Sequence, residues 1–293
     1  VTPFYFSEID KALEGCSLIV SGVNSLGIGW IAEQLSSRLK PGQAVVGITK
    51  GLESGDNGSV RLFPHIIKAA LPAAIRDKLS FAAIGGPCIA GELAGRRLSF
   101  VMLGADDMVT ASSLAKIFKT SYYYPTPTDD LLGLEVGVAL KNAYTVAVGM
   151  AYGIMDGKGG VDAAGASMHN LAAALFAQGC SEIRLILRLL GGTDWFASSL
   201  PGAGDLYVTS MGGRTVRFGR LLGSGRKFQE AREIMAGETL ESIEIIKHMS
   251  KLMPVWCQKG MINQDALPLM RTLSEIIVEG RDPLLPLESF FHF

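Results

Sequence analysis

Residues 134–153, LEVGVALKNAYTVAVGMAYG, decide how the rest of the chain is read. Between Val136 and Gly153 the stretch holds a single charge, Lys141, among valines, alanines and glycines. It has no proline and no β-branched alternation, so it reads as an α-helix buried on nearly all faces. An ammonium is expensive to bury in so apolar a setting, which marks Lys141 as a group with a chemical task rather than a surface lysine that snorkels to water. Small residues at Gly137, Ala139, Ala143, Ala147 and Gly149 let neighbouring backbones or a ligand come close. The length matches a membrane span, but Lys141, Asn142 and the glycines, with no flanking basic cluster, favour a core helix.

Upstream of this helix, apolar runs alternate with amphipathic ones. Residues 16–23, 43–49, 79–84, 98–103 and 121–124 read as strands, and 7–13 (capped by Ser7), 31–39, 61–71, 73–77 and 106–118 as helices. That alternation predicts a doubly wound α/β sheet with helices on both faces. From Asp129 onward no strand pattern continues. Helices are expected over 134–153, 168–190, 215–223, 229–235, 242–253 and 267–278, with 282–285 as a closing cap. A chain of 293 residues, 48% hydrophobic, can bury two ordinary cores. The expected organisation is thus an α/β domain over 1–128 and an all-helical domain over 129–293, with Pro125-Thr126-Pro127 as the linker.

Lys+Arg 27 against Asp+Glu 28 leaves a net charge of −1, which favours neither nucleic acid nor an anionic membrane as partner. Cys16, Cys88, Cys180 and Cys257 are widely spaced without CxxC, as expected of reduced thiols in the cytoplasm. The opening residues lack the pattern of a signal peptide. His65, His169, His248 and His292 show no metal-ligand spacing, and no metal is expected.

The triplet Leu140-Lys141-Asn142, set in GVALKNAYTVAVGMAYGI, resembles the catalytic helix of the NAD(P)-dependent glycerol-3-phosphate dehydrogenases. Three further segments match that family in order: TKGLE (49–53), GGPCIAGELA (85–94) and PGAGDLYVTSMGGRTVRFGRLLGSG (201–225). The resemblance spans nearly the whole chain. It implies the C-terminal part of a Rossmann-type sheet, then a helical substrate and dimerisation domain of the 6-phosphogluconate dehydrogenase C-terminal type. The implied activity interconverts sn-glycerol 3-phosphate and dihydroxyacetone phosphate with NAD or NADP, in a cytoplasmic homodimer. Two other readings stay open: a related 3-hydroxyacid or 2-ketoacid reductase, and a non-catalytic dimerising remnant. Arg214 and the GD-x-x-x-T pattern speak against the first, and the joint retention of Lys50, Lys141, Asp205 and Arg214 against the second.

Lys50 follows the strand 43–49, and in open α/β sheets ligands bind beyond the carboxyl ends of strands, so it is placed to meet an anionic substrate or a nicotinamide face. Gly85 and Gly86 end the next strand in the same way, where bare backbone N–H groups can approach a phosphate or carbonyl. The resemblance implies that Lys141 is the general acid toward a ketone, its pKa pulled toward neutrality by burial and by Lys50. Around it the implied substrate shell is Lys50, Gly86, Cys88, Asn142, Asp205, Thr209, Arg214 and Thr215. Asn142 would orient the substrate hydroxyl, Asp205 would pair with Lys141 or take a hydroxyl, Thr209 would line the pocket, and Arg214 would grip phosphate through its planar fork. The cofactor is expected against Asn24, Lys50, Ala90, Arg214, Thr239 and Glu241, the last with Glu238 in the acidic GETLES turn.

The sequence departs from the family pattern in places. Cys88 stands where a hydroxyl residue is usual, Gly213-Arg214-Thr215 where Ser-Arg-Asn is common, and Gln178 where arginine is common. The G-x-G-x-x-G turn of a dinucleotide fold has no counterpart, since Gly22-Val-Asn-Ser-Leu-Gly27-Ile-Gly29 has a different spacing. The strand at 16–23 is then expected to be the fourth of a 3-2-1-4-5-6 sheet, lying at an open edge or paired from elsewhere, and the isolated chain to bind NAD(P) weakly.

Overall fold

The computed structural model describes residues 1–160 and 167–290, so His292 lies outside the described residues. Its strands are β1 (Leu18–Ser21), β2 (Ala44–Gly47), β3 (Leu52–Ser54), β4 (Val60–Leu62), β5 (Ser80–Gly85), β6 (Ser99–Ala105) and β7 (Tyr123–Thr128). Five of them form one sheet in the order β1-β2-β5-β6-β7, while β3 and β4 make a separate antiparallel hairpin. The helices α1 (Ile9–Leu13), α2 (Ile28–Ser36), α3 (Phe63–Ala69), α4 (Ala73–Arg76), α5 (Ala90–Ala94) and α6 (Met108–Phe118) are interspersed with the strands.

Alternation along each strand feeds two cores, as expected for a sheet covered on both faces. Val45 and Phe81 pack with Ala32 and Leu35 of α2 and Ile67 of α3, whereas Val46, Ala82, Val101 and Leu103 pack with Ala111 and Leu114 of α6. The β1, β2 and β5 ladders are parallel, with Ile19 opposite Val45 and Val45 opposite Phe81. Strand β6 then runs antiparallel to β5, and β7 parallel to β6, so the sheet is mixed. The β5–β6 connection carries only the five-residue α5 and returns without a full crossover helix. β1 pairs with β2 alone, so it lies at the open edge that the sequence allowed.

Three sequence expectations change here. Pro125-Thr126-Pro127 is not a linker but the body of β7, paired in parallel with β6. β7 is the other edge of the sheet, where prolines can leave the ladder one-sided without orphaning a neighbour. Residues 61–62 belong to the β3–β4 hairpin, and the helix starts at Phe63, with Pro64 in its first turn. Ser7 does not cap α1. It lies inside a 3₁₀ turn, Phe6–Glu8, in which the Glu8 carboxylate accepts from the Tyr5 N–H.

The remaining helices are α7 (Leu131–Asp156), α8 (His169–Leu190), α9 (Asp205–Ser210), α10 (Arg214–Gly223), α11 (Phe228–Ile234), α12 (Glu241–Gln258) and α13 (Pro268–Ile277). α7 starts three residues earlier than its apolar run because the Asp130 side chain accepts from the Gly133 N–H at 2.6 Å. α9 was not expected, and it follows directly on a π-helical turn, Leu200–Gly204. Residues 282–285 form no helix; a 3₁₀ turn, Leu287–Ser289, follows them.

α7 is long and apolar enough to cross a membrane by composition, with a hydropathy of 1.3, but 94% of that apolar window is buried inside the protein. It is the axle of the helical layers. Gly149 of α7 meets Gly219 of α10 so closely that a Cβ on Gly149 would lie 3.0 Å from the Gly219 Cα, while Gly153 faces the Arg220 backbone and Gly223 the Met150 backbone. Bare glycine on both helices is what allows this backbone contact, and the contact fixes where α10 presents its first residue, Arg214.

Candidate active site

The carboxyl ends of β2 and β5 point at α7 and α9, and a compact charge cluster forms where they meet. The Thr49 hydroxyl donates to the Val23 carbonyl, tying the loops after β1 and β2 together. One residue on, the Lys50 ammonium donates to the Gly86 carbonyl at 3.1 Å and pairs with Asp205 Oδ2 at 2.5 Å. Gly86 has φ +126°, a conformation that L side chains rarely adopt, and a Cβ there would lie 3.3 Å from the Val101 Cα. Glycine is therefore what lets this carbonyl stand beside the sheet and face Lys50.

From the other side, α7 delivers Lys141, only 5% exposed. Its ammonium lies 3.1 Å from Asp205 Oδ1 and donates to Thr209 Oγ1 at 2.5 Å. The Thr209 hydroxyl in turn donates to the Asp205 carbonyl, 2.7 Å away, which fixes its lone pair toward the lysine. One buried carboxylate thus sits between two ammoniums. Burial pulls the Lys141 pKa down to about 8, the Lys50 charge pulls the same way, and Asp205 opposes both. An amine poised there can give or take a proton near neutral pH.

The other sequence candidates fall in two groups. Gly86, Cys88 and Asn142 stand near this cluster in the chain. Asn142 is 9% exposed, next to Lys141 on α7. Burial pushes the Cys88 thiol above its ordinary range, against the pull of Lys50, and the Ser99 side chain bonds to it. The second group lies where α10 and α12 begin. Arg214 Nη2 contacts both Glu241 oxygens, at 2.6 and 2.7 Å, with Thr215 buried behind it. Thr239 is in the loop before α12, and Glu238 pairs with Arg217 at 3.1 Å. Asn24 is exposed after β1, its side chain accepting from the Gly27 N–H at 3.0 Å, and Ala90 is exposed at the start of α5.

A cleft of about 260 Å³ runs between Lys50 and Glu241, lined also by Ser25, Leu26, Phe63 and His248 among others. Its place beyond the carboxyl ends of β1 and β2, the apolar walls at Leu26 and Phe63 and the polar ends at Lys50 and Glu241 fit the nicotinamide end of a dinucleotide. Of the residues expected against the cofactor, Lys50 and Glu241 line it, whereas Asn24, Ala90, Arg214 and Thr239 do not. Among the described residues there is no group of three His, Cys, Asp or Glu side chains able to hold a metal.

Two polar residues at the site escaped the sequence reading. His248 accepts from the Ser54 N–H at 3.0 Å, and burial lowers its pKa. Glu135 is 1% exposed on α7, and its signal was in plain view as a carboxylate inside an apolar run.

The chain matches two family models. Residues 5–111 match the NAD-dependent glycerol-3-phosphate dehydrogenase N-terminus, and residues 130–287 match the NAD-dependent glycerol-3-phosphate dehydrogenase C-terminus. It is 30% identical over 277 residues to an NADP(+)-dependent glycerol-3-phosphate dehydrogenase of Archaeoglobus fulgidus, covering 94% of this chain and 78% of that protein. To a Clostridium botulinum glycerol-3-phosphate dehydrogenase [NAD(P)+] it is 31% identical over 287 residues, with 97% and 78% covered. A crystal structure of glycerol-3-phosphate dehydrogenase from Coxiella burnetii superposes with a TM-score of 0.76 at 25% identity, covering 94% of this chain and 77% of that one.

Proposed function

We propose a set of residue roles for a chain that belongs to the NAD-dependent glycerol-3-phosphate dehydrogenase family. The protein is an NAD(P)-dependent oxidoreductase that interconverts sn-glycerol 3-phosphate and dihydroxyacetone phosphate. Lys50 and Glu241 line the cleft that would hold the dinucleotide, which when bound would supply the hydride for the ketone carbon. Lys141 donates the proton that the carbonyl oxygen needs as it becomes an alcohol, and takes one back in the reverse direction. What carries this role is the geometry around one nitrogen: Lys141 is buried, held by Asp205 and Thr209, and drawn down to about 8.

Asp205 holds both lysines in place and keeps two ammoniums compatible with a desolvated site. Lys50 meets the negative charge of the substrate, and the Gly86 backbone and Cys88 flank it. Asn142 orients the hydroxyl next to the reacting carbon. Arg214, anchored by its Nη2 alone on Glu241, takes the phosphate with the rest of its guanidinium, with Thr215 behind it. Arg214 also lies between substrate and cofactor, since Glu241 lines the cleft. Asn24, Ala90 and Thr239 hold more distant parts of the dinucleotide. We assign residues 1–128 to the cofactor and 129–293 to the substrate, with Lys50, Gly86 and Cys88 reaching across to the substrate and Arg214, Thr239 and Glu241 reaching across to the cofactor. The family resemblance supports a homodimer, and four free cysteines fit a cytoplasmic enzyme.

The test is steady-state reduction of dihydroxyacetone phosphate by NADH and NADPH in the parental protein and in Lys141→Met. General acid–base groups contribute roughly 10²–10⁴-fold in rate. The variant should lose kcat on that scale and keep its dinucleotide affinity. A fall of less than about threefold, or an equal loss of cofactor binding, would remove Lys141 from the proton-transfer role.

A further inference from the structure

Two glutamates are buried in the helical layers, and their surroundings are opposite. Glu182 of α8, 2% exposed, accepts from Leu269 N at 2.7 Å, Met270 N at 3.0 Å, Tyr144 OH at 3.0 Å and Gln178 Nε2 at 2.9 Å. Its role is structural, because its four partners gather the start of α13 onto α7 and α8. Glu135 of α7, 1% exposed, has no such shell. Among the described residues its Oε2, shut away from solvent, has no hydrogen-bond partner, and Lys50 is the one charge that bears on it. It lies two helical turns before Asn142, on the same stripe of α7.

Among the described residues, most other ionisable groups on the elements packed against α7 have partners of their own; the exceptions are Arg271 of α13, whose buried Nε and Nη2 have none, and Lys251 of α12, whose charge bears on His248. Asp205 holds the two lysines, Glu53 holds Arg61, Glu241 holds Arg214, Glu244 holds Lys247, His248 bonds to Ser54, and Asp194 holds Arg184 and Arg188. Arg217 pairs with Glu238, Arg220 with Asp156, and Glu275 with Arg281, while Arg271 of α13 exerts no pull on Glu135. β5, β6 and the turn Leu200–Gly204 carry no titratable side chain. A buried carboxyl without partners has no packing advantage over an apolar residue of its size, so its presence within reach of the Lys50 charge calls for a role in the chemistry.

We propose that Glu135 is a positioning residue of the reaction, a carboxylic acid kept neutral behind Lys50 so that the Lys50–Asp205–Lys141 cluster offers a net positive charge to a phosphorylated substrate. This rests on the dehydrogenase reading above. With Glu135 neutral, two ammoniums face one carboxylate. With Glu135 ionised the count is two against two, Lys50 is drawn off its Gly86 and Asp205 contacts, and the repulsion that readies Lys141 weakens. Burial supports the neutral form, pushing Glu135 up to about 8. The acid therefore holds its proton at neutral pH and loses it in mildly alkaline solution, where the substrate phosphate is a full dianion and gains most from the positive cluster.

The experiment compares the parental protein with Glu135→Gln, which keeps the size and removes the ionisation. KM and kcat for dihydroxyacetone phosphate are measured from about pH 6.5 to 9.5. Both proteins lose the Lys141 charge across this range, so the Glu135→Gln KM should rise with that single loss, whereas the parental KM should rise about tenfold further because Glu135 also gains a negative charge, with kcat keeping its alkaline fall in both. Superimposable KM profiles would overturn the proposal, as would a loss of kcat beyond tenfold in Glu135→Gln at pH 7. In parallel, the infrared carbonyl band of a protonated, buried carboxyl should be present in the resting parental protein, absent from Glu135→Gln, and lost with a midpoint near pH 8. Glu135→Met replaces Glu135→Gln in both arms should the latter not fold. Absence of that band in the parental protein refutes the neutral acid whatever the activity. A parental protein that shows the band but reduces no dihydroxyacetone phosphate refutes the dehydrogenase reading instead.

Discussion

Replacing Lys50 with methionine keeps the length of the side chain and deletes one of the two positive charges around Asp205. Both ammoniums contact the same carboxylate, at 2.5 and 3.1 Å, which puts the two nitrogens roughly 6 Å apart. At an effective dielectric constant near 20, two like charges at that separation repel by about 3 kcal/mol, or about two pH units. The Lys50 side chain is 23% exposed, so screening reduces the effect to about one to two units. The direction is fixed. Lys50 now helps to hold Lys141 down near 8, and its removal, which also leaves Asp205 to Lys141 alone, must raise Lys141. The assay is the pH dependence of kcat/KM for ketone reduction, which reports groups of the free enzyme. In the parental protein the rate should fall as pH rises through about 8, because reduction consumes the lysine proton. In Lys50→Met the same limb should lie between about 9 and 10, on a lower plateau because substrate attraction is weaker. A limb that stays in place, or moves toward acid, would show that the two lysines do not interact as their shared carboxylate implies.

Lys141→Met should also change stability, with a sign opposite to that of an ordinary lost ion pair. Its folded pKa, about 8, lies below the ordinary 10.5, so the fold binds fewer protons than the unfolded chain between those values. The penalty is therefore present in full below about pH 8 and fades as pH rises to 10.5. Thermal denaturation at pH 7 should show the variant more stable by about 1–3 kcal/mol, and a gain that persists unchanged at pH 10.5 would contradict the assignment. Arg214→Lys keeps the charge and loses the fork, so KM for dihydroxyacetone phosphate should rise by about 1–3 kcal/mol in transition from two hydrogen bonds to one, with kcat little changed. An equal rise for unphosphorylated dihydroxyacetone would remove the phosphate from Arg214. Gly219→Ala places a methyl group against the α7 backbone at Val146, where neither helix can yield, and should destabilise by about 3 kcal/mol or more in urea. A change under about 1 kcal/mol would mean that the helices separate easily.

The sequence alone determined whatever a local pattern can encode. The buried run at 134–153 required a core helix, and its lone ammonium pointed to Lys141 before any contact was known. The apolar runs specified four strands of the main sheet and the first residues of the fifth, and four motifs in order specified the family. Strand direction was not written there, because an apolar run pairs equally well either way; the short β5–β6 connection made the sheet mixed. The three-residue strands β3 and β4 carry too little alternation to be seen, and two prolines disguised β7, whose edge position tolerates them. Only the tertiary structure decided which charges share a site. Lys50, Lys141 and Asp205 come from a sheet loop, a core helix and a six-residue helix, and their convergence on one carboxylate sets the pKa of the proton donor. Glu135 and Glu182 are each the one carboxylate of their stretch of sequence, Glu135 among apolar residues and Glu182 between Ser181 and Ile183. One is met by four donors and the other by none, and that difference belongs to the packing of α7, α8 and α13, because a carboxyl's charge is set by the dipoles around it rather than by its place in the chain.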